Sequence, residues 1–576
     1  MKQIYVISLF FLPFWCFSQL YIKPDGNKES FLYAQGGMVY VEKNIHLLKN
    51  PGGTIESSFY LRNEAQLLQG NENAENTGNG SLSVFQEGNA TAFTYNYWSS
   101  PVANNSGNSL FGNILYEPIT RTHSRQAIIT SELNGDANPL KISNRWIYKL
   151  SGNGYSDWVY VGNIFNVAPG EGFTMKGVDG KNTDIKIYGV ENNPGNEQRY
   201  DFRGKPNTGS IALDINKNEI LLVGNPYPSA LDLNQFLIEN VNTTGIAYFW
   251  DSRPVSSHNL QDYEGGYGAY SPALGANGYV PAVFKKYDNT GNILNDTGRI
   301  GEHYARRYSP IGQGFIVEGQ VTGKVYFRNK YRVFKKENPH TSEFKNQDTE
   351  EKKEEIPMLR LNLEFPGKYV RQLILAFHPE ATSGADRAMD ARNLSPLETD
   401  AGWKINEELY LIDIREKREQ PVPLLITATH PGEVTINLEE SWHLDREIYI
   451  WDSAIDIYYN LKRQEITVPV SPGTNENLFL TMNKTLSEKS NPEAIREFKI
   501  FQNNSFGRTE VLAPLNSQIE KIRIFDRRGR KVKEVKGSQN EIFYEVHTGN
   551  LSRGLYIIKI TSGDGTIVSK KVIISN

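Results

Sequence analysis

Short runs of alternating apolar and polar residues, separated by Gly-, Asn- and Pro-rich turns, recur along most of the chain. This period of two predicts strands. Met38-Val39-Tyr40-Val41 and Ser58-Phe59-Tyr60-Leu61 are early examples, divided by the turn Asn50-Pro51-Gly52-Gly53. Leu359 to Leu363, Gln372 to Phe377, Glu408 to Ile412, Glu433 to Leu438, Glu447 to Trp451 and Leu478 to Met482 continue the pattern. The spacing of their turn signals predicts a β-sandwich over 356–485. Near the end, Lys521 to Phe525 alternates again, and Leu555 to Ile560 and Ser569 to Ile574 form a closing pair, with Asp564-Gly565 supplying a tight hairpin turn. The fold class is all-β: several β-sandwich-like domains in tandem, closed by a small C-terminal antiparallel β-sandwich over 494–576.

An internal duplication organises 91–334, with copies of about 91–205 and 206–334. The first opens with Tyr97-Trp98-Ser99-Ser100-Pro101 and the second with Gly224-Asn225-Pro226-Tyr227-Pro228. Each runs into an aromatic strand, Arg145 to Tyr148 or Ala247 to Trp250. Each later carries a Gly-x-Gly-Phe unit, at Gly170-Glu171-Gly172-Phe173 and Gly312-Gln313-Gly314-Phe315. A β-rich segment, 19–90, precedes the duplication. The charged stretch 335–355 is a linker without apolar periodicity, and a second short linker spans 487–492.

Composition narrows the class of protein. Over 576 residues, 39% are hydrophobic, 22% charged and 11% aromatic, which fits folded, strand-rich domains. The net charge of -4 provides no global field for nucleic acid, and none is expected as a partner. Lys2 followed by the apolar run Ile4 to Trp15 predicts a cleaved signal peptide over 1–18. Small Cys16 and Ser18 place the cut between Ser18 and Gln19. Cys16 is the one cysteine, so the mature chain holds no disulfide, thiol nucleophile or cysteine-bound zinc.

Candidate chemistry is sparse. The chain has no His-Glu-x-x-His, Gly-x-Ser-x-Gly or phosphate-binding loop, so no catalytic residue, metal ligand or cofactor is assigned. His303 reads as an isolated surface or hydrogen-bonded histidine. Asp288 to Asn292 and Asn295 to Gly298 are oxygen-rich, but their spacing fits Asx turns better than a calcium loop. Asp386 and Asp390 form an acidic pair that could serve a hydrolase only within a cleft. Trp98, Trp146, Trp158 and Trp250 could build a glycan-stacking platform, although packing in the core is the expected role. Arg527 to Lys531 is a basic turn.

At its end the chain resembles the type A C-terminal sorting domain of Bacteroidetes type IX secretion cargo. Three motifs carry the likeness: Asp526 with Gly529 after a strand, Leu551 with Gly554 and Tyr556, and Lys570 with Lys571 in the last strand. The family's Pro-Asn-Pro is replaced here by Gln502-Asn503-Asn504. Upstream, Trp98 to Pro101, Gly224 to Pro228, Asp386 with Asp390, and Ile450-Trp451-Asp452 resemble large flavobacterial secreted proteins. The resemblance implies passage through the Sec translocon to the periplasm, then recognition by the type IX machinery. Delivery to the medium or to surface lipopolysaccharide follows. The expected function is a non-enzymatic secreted or cell-surface protein with a structural, adhesive or binding role. Surface glycan binding, and a hydrolase with an unfamiliar site, are the alternatives.

Overall fold

The computed structural model describes residues 19–52, 55–103, 111–152, 157–288, 293–304, 306–337, 356–365, 369–454, 457–483, 498–504, 506–514, 518–527, 529–538, 543–563 and 567–575. The signal peptide with Cys16 and Ser18, most of the charged linker, the 487–492 linker and the Asp564-Gly565 turn lie outside these. So do Asn289 to Asn292 and Arg528. The chain divides into two compact units, Met1–Ile450 with Tyr459–Met482, and Trp451–Tyr458 with Asn483–Asn576. Strands dominate both, and the described residues contain one α-helix, Leu233–Glu239.

The first unit begins with parallel strands. Leu32–Gln35 lies beside Phe59–Arg62, which in turn lies beside Leu82–Gly88. Leu20–Ile22 pairs with Ile45–Leu47, and Met38–Val41 with Gln66–Gln69, again in parallel. Successive passes of the chain therefore stack as rungs, a parallel pairing that the strand-and-turn pattern left open. Burial explains the pairing: all of Phe59–Arg62 is enclosed, and strands covered on both faces favour parallel stacking. Asn76 helps tie the rungs together. Its Oδ1 accepts from Ile45 N at 3.0 Å and Gln69 Nε2 at 2.9 Å, and its Nδ2 donates to Gln69 Oε1 at 2.9 Å.

The duplicated region repeats one pairing scheme. Phe173–Lys176 runs antiparallel to Tyr95–Trp98, with Phe173 opposite Trp98. Gly314–Gly319 runs antiparallel to Ile220–Gly224, with Phe315 opposite Val223. Each Gly-x-Gly-Phe turn also crosses to the other copy. Gly172 N donates to Leu222 O at 3.0 Å, and Ser99 N donates to Gly312 O at 2.7 Å. Glu171 bridges to Val223, and Gln313 to Trp98. The glycines fit this exchange. Gly170 and Gly312 take φ of +82° and +73°, in the left-handed region. A Cβ on Gly172 would lie 2.5 Å from Leu222 Cγ, and one on Gly314 would lie 2.7 Å from the Tyr97 carbonyl carbon.

Residues 356–450 and 459–482 contribute a large sheet to the same unit. At its centre Met358–Phe365 pairs with Tyr369–Phe377, which runs parallel to Glu408–Arg415. Leu373, Ile374, Leu375 and Ala376 are all fully buried. The hydrophobic cluster holding them includes Leu150, Leu222, Ile246, Tyr248 and Ile316 from the duplicated region. Arg360 donates to the carbonyl oxygens of Asn277 and Tyr279, each at 3.1 Å, and so reaches the upstream strands. Within the sheet Arg371 Nε and Nη2 meet the two oxygens of Asp400 at 2.8 and 2.9 Å, entirely buried.

The second unit has two antiparallel sheets. One orders Lys499–Asn503, Arg508–Leu512 and Phe543–His547. The other orders Lys531–Lys536, Ile519–Asp526, Gly554–Ser562 and Ile567–Ile574. Ile500, Val511, Tyr544 and Val546 from the first share one core with Ile522, Ile524, Tyr556, Ile558, Ile560, Val572 and Ile574 from the second. Alternate residues of the strands, such as Ile522 and Ile524 or Tyr556, Ile558 and Ile560, point inward to produce this sandwich.

Because Gly314 presses on the Tyr97 backbone, Gly314→Ala should destabilise the first unit by about 1–3 kcal/mol, in the range of an overpacked core. Gly384→Ala, whose Cβ would meet only Thr382 Oγ1 at 3.6 Å, should change it far less. Urea unfolding of the two variants measures the difference.

Candidate functional site

The sorting-motif residues occupy distinct structural positions in the C-terminal sandwich. Asp526 closes the hairpin between its two strands. Its Oδ1 accepts from Arg530 N at 3.0 Å and its Oδ2 from Arg530 Nε at 2.9 Å. Gly529 sits at φ +78° and donates its N–H to Asp526 O at 2.9 Å, a backbone conformation that favours glycine. Tyr556 is buried opposite Asp526 and Val572, and its hydroxyl donates to Ser552 O at 2.8 Å. Leu551 is half-buried against the core. Gly554 has ordinary room around it, and nothing in the sandwich requires a glycine there. Lys570 wraps to the other sheet, donating to Ile500 O at 2.8 Å with its ammonium 5.1 Å from the Phe501 ring centre. Lys571 is exposed on the outer face.

In the first unit a cleft of about 520 Å³ opens between the first copy's opening strand and the end of Thr243–Ser252. Tyr95, Tyr97, Trp250, Asp251, Tyr304 and Arg306 are among its lining residues. Asp251 Oδ2 accepts from Glu302 N at 3.2 Å, and burial raises its carboxyl above the ordinary range. Arg306 lies 4.1 Å from the Phe249 ring centre and 4.5 Å from that of Tyr304. The cleft thus joins aromatic rings to hydrogen-bonding and charged groups, a composition suited to holding a polar ligand.

The four tryptophans do not form one platform. Trp98 is buried, edge-on to Tyr200 at 5.6 Å. Trp158 and Trp250 both pack on Tyr97, at 5.7 and 6.5 Å. Trp146 stacks on His258 at 4.8 Å and carries the Lys176 ammonium 3.6 Å above its ring. Lys176 also contacts Tyr263 Oη at 2.5 Å and His258 Nδ1 at 3.0 Å, and burial draws its pKa down to about 7.

Asp386 and Asp390 come together on a turn, but both serve the backbone. Asp390 accepts from Asp386 N at 2.6 Å and Ile414 N at 2.7 Å. Asp386 Oδ2 accepts from Thr382 N at 2.5 Å, and its Oδ1 from Thr382 Oγ1 at 2.9 Å. His303 is exposed, edge-on to Tyr279 at 5.9 Å. Among the described residues no group of histidine, cysteine and acidic side chains is arranged to hold a metal. Sequence reasoning missed the cleft and the Lys176 cage. Both join residues far apart in the chain, and no local motif marks either.

Comparison with known proteins places the tail. Residues 507–575 match the family described as secretion system C-terminal sorting domain. The protein is therefore type IX secretion cargo, secreted or held at the cell surface, and its tail engages that machinery. Residues 18–482 match the family described as domain of unknown function (DUF8693), and the chain belongs to that family. No curated protein matches the chain. Among solved structures, one titled "Biofilm associated protein - BSP domain" aligns at 8% identity and a TM-score of 0.15, covering 86% of this chain and 96% of that one.

Burial and the Asp413 charge push the Asp390 carboxyl up to about 8. Its folded pKa thus exceeds the ordinary carboxylate value, so the folded state retains the proton and loses stability as pH rises from about 4 towards 8. Asp390→Asn removes this titration. Its melting temperature relative to wild type should rise between pH 5 and pH 8; a constant difference would contradict this assignment.

Proposed function

We propose that this protein is a non-enzymatic binding or adhesive protein. It would pass through the Sec translocon and the periplasm before type IX export delivers it outside. The matched tail carries the export reading. The binding reading rests on the cleft of the first unit, whose rings and polar groups suit recognition. The non-enzymatic reading is supported by Asp386 and Asp390, whose oxygens hold the local backbone. Attachment to surface lipopolysaccharide and the absence of a nucleic-acid partner belong to the same proposal, the latter supported by the net charge of -4.

Deleting 494–576 should trap the chain in the periplasm, as read by fractionation of tagged full-length and truncated protein. Normal delivery of the truncation would overturn the export reading.

A second reading, surface glycan binding, draws on the same cleft, whose lining includes Tyr95 together with amide and acidic side chains such as Asn96 and Asp251. Affinity gels cast with polysaccharides should retard the full chain. Absence of retardation across the panel would remove this reading.

A further inference from the structure

In an antiparallel sandwich the outward residues of each strand face water and are ordinarily polar. The three-stranded sheet of the tail follows this rule across much of its outer face. There Arg508 pairs with Glu510 at 2.8 Å and with Glu545 at 3.0 Å, so the arginine charge is met within the face.

The four-stranded sheet departs from it. Its inward positions Ile522, Ile524, Tyr556, Ile558, Val572 and Ile574 are buried, as the core requires. Yet its outward positions are also apolar over one continuous area. Leu555 is directly opposite Ile573, and these are 45% and 65% exposed. One pair further along, Ile557 has Phe525 on one side and Lys571 on the other. Directly opposed residues in adjacent strands stand close enough to touch, so Leu555, Ile573, Ile557 and Phe525 form one patch. Leaving such residues in water is unfavourable and marks a surface that another molecule covers.

The surroundings of the patch are basic. Lys571 and Lys559 are outward neighbours of Ile557 and have no ion-pair partner among the described residues. Lys531 is opposite Phe525, and Arg527 follows the same strand. Glu534 is the nearby acid, and it already pairs with Arg523 at 3.0 Å and Lys531 at 2.8 Å. A surface that covered the patch would need apolar contact at its centre and acidic groups at its rim.

We propose that the outer face of the four-stranded sheet, centred on Leu555, Ile557, Ile573 and Phe525, is where the tail docks onto an apolar, acid-rimmed surface of the export machinery. The inference rests on the tail being a sorting domain. All four patch residues fall within the matched segment 507–575. The motif residues Asp526, Gly529 and Tyr556 then act indirectly: they set the turn and the inner packing that present this face. Lys571 is the motif residue that belongs to the contact itself.

The test uses the full chain in a host with type IX export. Leu555→Ser combined with Ile573→Ser should lower the ratio of exported to periplasmic protein roughly tenfold or more, as the loss of interface anchors does. The melting temperature should stay at the wild-type value. Lys559→Glu with Lys571→Glu keeps the apolar patch and should also reduce export; this variant decides the matter if the serine pair melts early. Glu545→Ala with His547→Ala, on the other sheet, should export normally. Normal export of both patch variants, while deletion of 494–576 is still retained, would overturn this surface and leave the sorting reading intact. Normal export of the deletion would overturn both. Sedimentation supplies a third outcome: a dimer of the full chain that the serine pair abolishes would assign the face to a second copy and overturn the proposal.

Discussion

The first unit depends on a sheet whose central strands have no face left for water. From Leu373 to Ala376 each side chain is fully buried, whichever way it points. One side is filled by the sheet's own core and the other by strands of the duplicated region. Burial on this scale is the dominant favourable term in folding. It also explains why the polar groups that enter this layer arrive fully partnered. Arg371 meets Asp400 through two bonds, and Asp400 accepts further from Asn393 Nδ2 at 3.0 Å and Leu397 N at 2.9 Å. A buried charge without such partners would cost several kcal/mol.

The tail obeys a simpler rule. Two short sheets share one core, and a hairpin turn built by Asp526 and Gly529 fixes their edge. Here the packing that holds the fold is inward, while the chemistry available to a partner lies outward. The same strands therefore serve two requirements at once, stability on one face and recognition on the other, because their side chains alternate.

Much of this architecture was legible from residue order. Alternation located Leu359 to Leu363 and Lys521 to Phe525, because a half-buried strand must alternate, and flanking turn signals located Leu555 to Ile560 and the closing strand. The recurrence of Gly-x-Gly-Phe located two turns that prove geometrically alike. What escaped was the partner of each strand. Phe59–Arg62 reads as a strand between turns, but its parallel stacking is not written there, since pairing depends on which distant segments complete its burial. The cleft was illegible for the same reason: Tyr95, Trp250 and Arg306 converge across more than two hundred residues of chain. Asp386 and Asp390 read as an acidic pair with chemistry open to them only in a cleft, and sequence cannot reveal that Ile414 N waits for one of their oxygens. The apolar outer face of the tail was visible in Leu555 and Ile557. Its meaning needed Ile573 and Phe525 to be placed beside them.

The crossed glycine turns carry a consequence for how such a molecule could arise. Each half completes its twin: the strand holding Trp98 accepts the second half's turn, and the strand holding Val223 accepts the first's. A solitary ancestral half would have offered one open strand edge and one homeless loop, which is the recipe for self-association around a two-fold axis. Two such halves fused end to end could no longer dissociate, and each would be free to diverge.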